Sequence, residues 1–101
     1  MTKEQKIKLI KLIQQACKER GEAVAFASHI KDCICRVIYN KTRMRSYGYS
    51  RTKNLRQGFN VSNEEYQEIE NIFTYLESCG AITKLNDNLH YISEKVLNFK
   101  A

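Results

Sequence analysis

Six cations and no acid fall between residues 41 and 56: Lys41, Arg43, Arg45, Arg51, Lys53 and Arg56. Tyr47 and Tyr49 interleave with them. Guanidinium and ammonium groups neutralise phosphates, and phenol rings lie along sugar edges, so the chemistry this run suits is contact with a nucleic-acid backbone. If residues 43–49 are extended, alternation puts Arg43, Arg45, Tyr47 and Tyr49 on one side. The bland reading of such a run is a solvated face. A second polar group gathers at a short turn, where Lys84, Asn86, Asn88 and His90 offer the small donors that a minor groove admits. Asp87, in the same turn, works against close phosphate approach. A third set, Asn63, Gln67, Asn71, Thr74 and Ser78, recurs at helical spacing opposite an apolar stripe. Asn and Gln can bond adenine through two hydrogen bonds, so Gln67 and Asn71 are candidates for base contact. That stretch also carries Glu64, Glu65, Glu68, Glu70 and Glu77 and no Lys or Arg, a charge of −5 that repulsion from phosphates would have to offset.

Other chemistries are poorly supplied. His29 and His90 have no Ser or Cys nucleophile in local register. The glutamates sit at helix spacing, with nothing marking two of them as an acid and base pair. Gly48 and Gly58 do not make a phosphate-cradling loop. No enzyme is expected. The cysteines are Cys17, Cys33, Cys35 and Cys79. On a helix, Cys33 and Cys35 point to nearly opposite faces, which is not a zinc spacing. His29 and Cys33 stand four apart, but a partly buried pair is the simpler reading. Neither a metal nor a cofactor is expected.

These residues must be positioned by a small fold. The 101 residues, 43% hydrophobic and 28% charged, suit one domain with a modest core and argue against wholesale disorder. The length excludes the large multi-domain enzyme folds. The net charge of +6 points to a polyanionic partner. Lys3, Glu4, Lys6, Lys8 and Lys11 leave no apolar core for a signal peptide. No uncharged run approaches a membrane span, so a cytoplasmic place with reduced thiols is expected.

Residues 3–19 read as a helix with Leu9, Ile10, Ile13, Ala16 and Cys17 on one face and Gly21 ending it. A second helix is expected from Glu22 to Tyr39, on the spacing of Ala23, Phe26, Ile30, Cys33, Ile34 and Val37. Residues 43–49 are expected as a short strand, and Ser50 can cap a short helix over 51–57. Ser62 and Glu65 fit a capping box, with Val61 and Tyr66 placed as a hydrophobic staple. The helix they open buries Tyr66, Ile69, Ile72, Phe73 and Leu76 and stops at Gly80. Residues 81–85 and 89–93 read as strands about a turn at Asn86, Asp87 and Asn88. The tail after Ser93 has room for one short helix.

Helix, short strand, short helix, tight turn, longer helix and hairpin, in that order over 22–93, resemble a winged helix-turn-helix domain. The resemblance is carried by Ser50-Arg51-Thr52-Lys53-Asn54-Leu55-Arg56-Gln57, the turn Gly58-Phe59-Asn60-Val61, the capping run Ser62-Asn63-Glu64-Glu65-Tyr66, and Tyr75-Leu76-Glu77-Ser78-Cys79-Gly80-Ala81-Ile82. The stretch from Tyr49 to Ile82 is similar in layout to the DNA-reading γ domain of FtsK-type translocases. The fold expected is therefore α+β and mostly helical, one domain with 1–20 as an added N-terminal helix, 22–93 as the winged-helix core and 94–101 as a tail. The resemblance makes 51–57 the positioning helix, 62–79 the recognition helix and the hairpin the wing. It implies a protein that binds double-stranded DNA as a homodimer, with no membrane and no small-molecule ligand. It looks like the small plasmid-encoded proteins that mark an origin of transfer beside a relaxase in a conjugative relaxosome. A winged-helix transcriptional repressor is the alternative. A protein-interaction module would gain nothing from the cations of 41–56, and an RNA binder would use Tyr47 and Tyr49 for stacking.

Overall fold

The computed structural model describes residues 1–41 and 61–100. Helix α1 spans Lys3–Arg20. Its start is a capping box: the Thr2 hydroxyl accepts from the Gln5 backbone N–H and the Gln5 side chain accepts from the Thr2 N–H. Its end is Gly21, left-handed at φ +70°, a conformation a Cβ disfavours. Leu9, Ile13, Ala16 and Cys17 form its buried stripe.

A strand then stands where apolar spacing predicts continuous helix. Residues Val24–Phe26 form β1, and α2 begins only at Ala27, running Ala27–Tyr39. Apolar residues at 23, 26 and 30 mimic helical spacing, but they serve two elements. Ala25 faces the core, while Phe26 turns outward at 44% exposed and takes the Arg20 guanidinium 4.3 Å from its ring centroid. Helix α2 is the centre of the core: Ile30, Cys33, Ile34, Cys35 and Val37 are buried, with α1 on one side and α3 on another. It ends at Asn40, which adopts the left-handed conformation that Asn tolerates.

The strand expected over 43–49 and the helix expected over 51–57 lie outside the described residues. Helix α3 spans Asn63–Ser78 and opens with the expected capping box between Ser62 and Glu65. Val61 before the cap is buried, and Tyr66 rests against the core. Gly80, at φ +79°, stops the helix, and Ala81 N–H closes back on the Leu76 carbonyl at 3.0 Å. Strands β2, Ile82–Lys84, and β3, Leu89–Ile92, form the hairpin. The Asn86 side-chain oxygen accepts from the N–H groups of Asn88 and Leu89, which holds the turn. The sheet is antiparallel with order β1-β3-β2, Ala25 opposite His90 and Thr83 opposite Tyr91. Ser93 caps the last helix, α4, Glu94–Leu97.

The architecture is α+β and mostly helical, around one core. Helix α1 packs into that core: Leu9, Ile13 and Cys17 join Ile30, Ile34, Ile69, Ile82 and Ile92 in a single cluster. Gln14 ties α1 to the chain's end by donating to the carbonyls of Val96 and Phe99, each at 2.9 Å.

Candidate nucleic-acid interface

The outward side of α3 follows from its buried one. With Ile69 and Phe73 turned into the core, Asn63, Gln67, Asn71, Thr74 and Ser78 are all exposed. Gln67 donates to the Asn71 side-chain oxygen across one turn, at 3.0 Å. The result is a strip of neutral hydrogen-bonding groups.

The glutamates that should spoil this strip are mostly turned to its flanks. Glu70 lies 2.7 Å from the buried Lys31 of α2. Glu65 closes the cap of its own helix and sits 3.7 Å from Lys41. Glu77 faces His90, 3.2 Å from its Nε2. Only Glu64 and Glu68 of the five are exposed. The backbone N–H of Ser62, first among several contacts, holds the Glu65 carboxyl below the ordinary carboxylate value. Burial pushes Glu70 upward, but hydrogen bonds from Lys31 and Tyr66, with the Lys31 charge, outweigh it and leave the carboxyl lowered. Both groups are anionic and already partnered.

The hairpin places its residues unequally. Lys84 and Asn88 are exposed, and Lys84 stands 3.5 Å from Asp87, which is almost fully exposed. Asn86 is exposed, but its oxygen is engaged in holding the turn. His90 departs from expectation. It is only 3% exposed, its ring lies edge-on to Phe73 with centroids 5.0 Å apart, and Nδ1 has no hydrogen-bond partner among the described residues. The two-residue period of β3 explains this, since Ile92 faces the core and His90 shares its side. His90 braces the hairpin against α3 and offers no donor to a groove.

Lys41 is exposed at the end of α2, close to the start of α3. Arg43, Arg45, Tyr49, Arg51, Lys53 and Arg56 lie outside the described residues. Cations that sequence reasoning passed over stand on α1: Lys3, Lys6, Lys8, Lys11 and Lys18 are exposed. Lys6 lines a groove between α1 and α3 together with Glu68, Asn71 and Tyr75, so a positive charge flanks the neutral strip. Nothing in the sequence pairs residues 6 and 71; the packing of α1 on the core does.

Compared with protein-family models, curated proteins and solved structures, the chain has no match. Among the described residues no three His, Cys, Asp or Glu side chains gather where they could hold a metal ion, and no helix is long and apolar enough to cross a membrane.

Proposed function

We propose that the protein binds double-stranded DNA as a winged helix-turn-helix protein without catalytic activity. The observation that carries this reading is the strip on α3: neutral Asn and Gln side chains face outward, while three of the five glutamates are partnered at its flanks. The order helix, strand, helix, helix, hairpin, with the sheet ordered β1-β3-β2, supports the same reading. In it α3 enters the major groove and β2–β3 is the wing, while the positioning helix expected over 51–57 lies outside the described residues. Residues 42–60, between α2 and α3 in the sequence, carry five cations. The role within this reading is an accessory one, a homodimer marking a site for a DNA-processing enzyme such as a relaxase.

Selection from a random duplex pool tests the proposal, followed by affinity measurement against salt. One site should be enriched. With about four phosphates met per protomer, log K should fall with log salt at a slope of roughly −3.6. No enrichment together with a slope near zero would remove DNA from consideration.

A further inference from the structure

We propose that the cleft between α1 and the last turns of α3 is a binding site for a small apolar carboxylate, one ring or a short branched chain bearing a single acid group. The cleft encloses about 140 Å³. Its floor is Leu9 and Ile13 of α1, Ile82 of β2 and Val96 of α4, all buried. Leu76 of α3 forms a wall, and Tyr75, 59% exposed, stands at the mouth.

Interiors are close-packed, so an aliphatic recess of this size, open at its mouth, is room left unfilled beside the core. Such a space repels water, and a comparable cavity of about 150 Å³ lined by aliphatic and aromatic side chains takes up benzene. The volume matches an apolar body of about one six-membered ring. The charge is set by Lys6, which lines the same cleft. No acid lines the cleft itself; the exposed Glu68 stands in the adjoining groove that Lys6 also lines, and Lys6 makes no ion pair among the described residues. An ammonium on a flexible stem can follow an anion at the rim, whereas a cation there would meet repulsion. An apolar ring below and a carboxylate above satisfy both parts. The ligand would touch α1, α3, β2 and α4 at once and so tie the elements that hold α3 in place.

The test is titration of the full chain, free of DNA, followed by backbone amide NMR, and it stands or falls apart from the nucleic-acid reading. The probes are benzoate, benzyl alcohol and benzylamine, one ring with three head groups. Benzoate should saturate shifts at Leu9, Tyr75, Leu76 and Ile82, binding about tenfold tighter than the alcohol for a charge-assisted contact. Benzylamine should be weakest. Lys6→Gln, at an exposed site, should bring benzoate down to the alcohol. Ile10→Phe, which fills the cleft, should weaken both. Equal binding of benzoate and benzylamine, or a Lys6→Gln variant that binds benzoate undiminished, overturns the proposal. So does absence of saturation at millimolar benzoate, whether the cleft is open or sedimentation shows it covered by a second copy.

Discussion

Lys31 Nζ lies 2.7 Å from Glu70 Oε1 and 4.9 Å from the centroid of the Phe73 ring, so one buried ammonium joins α2 to two successive turns of α3. This contact adds to the burial of Ile69 and Phe73, which turns Gln67 and Asn71 outward. The two partners differ in their access to water. The Lys31 side chain is 10% exposed, whereas that of Glu70 keeps 32%.

The asymmetry predicts unequal costs. Glu70→Gln leaves a buried ammonium without its counter-charge and should destabilise by about 1–3 kcal/mol. Lys31→Met leaves a carboxylate that water can reach and should cost less. Urea unfolding of the two variants decides the order. A Lys31→Met variant less stable than Glu70→Gln would show that the ring contact with Phe73, and not the ion pair, dominates the site.

The same carboxylates set a dependence on acid. Glu65 and Glu70 both have folded values below the ordinary 4.5. A group with a depressed folded pKa contributes its full stability above the unfolded value and loses it as pH falls through the folded value. The melting temperature should therefore begin to drop as pH falls below about 4.5 and continue to drop through the lowered values. Glu70→Gln should flatten part of that slope while lowering the plateau. A wild-type melting temperature that stays constant through this window would contradict the assignment of either carboxylate as a native partner.

How far the sequence foretold this site depends on the range of the interactions involved. The Ser62–Glu65 capping box, Gly21, Gly80 and the Asn86–Asn88 turn are local devices, each written in four or five adjacent residues, and all are found where their chemistry places them. The strand β1 is not local. Three residues become a strand only because Val24, Ala25 and Phe26 meet Tyr91, His90 and Leu89 from the far end of the chain. His90 was legible after all, since its parity with Ile92 puts it inside. The partners of the glutamates were not: Lys31 and Glu70 are 39 residues apart, and only the packing of α2 on α3 brings them together.

Burial sorts the cysteines. Cys33 is enclosed by the core, and its thiol is pushed up to about 12 by burial, with Asp32 adding and Arg36 opposing. Burial raises Cys17 and Cys35 as well, while Cys79 is exposed at the end of α3. The thiolate is the reactive form, so access and pKa act together. At pH 8, one thiol per native chain should react quickly with an aromatic disulfide reagent, and Cys79→Ser should remove that phase. In denaturant all four should react. A second fast thiol in the native protein would mean that the α1–α2 interface opens readily.

The proposed DNA surface divides labour between groups that bind phosphate and groups that read bases. The strip on α3 carries hydrogen-bonding groups but no cation, so backbone affinity must come from its neighbours. Arg43→Ala, Arg51→Ala and Lys84→Ala should therefore weaken binding to specific and scrambled duplexes alike, each lowering the salt slope by about 1. Their loss should exceed that of Gln67→Ala or Asn71→Ala on a scrambled duplex. On the preferred site, loss of a two-bond base contact should cost ~1–3 kcal/mol and relax the preference. Because Gln67 and Asn71 hold each other at 3.0 Å, either alanine also frees its partner's rotamer, so the double variant should cost less than the two singles added. Lys84 must leave Asp87, 3.5 Å away, to meet a phosphate; Asp87→Asn should therefore tighten binding to all duplexes. Affinities on both duplexes at two salt concentrations read every term. If Gln67→Ala or Asn71→Ala abolishes site preference while Arg43→Ala, Arg51→Ala and Lys84→Ala bind normally at both salts, the basic run and the wing are bystanders, and α3 alone holds the DNA.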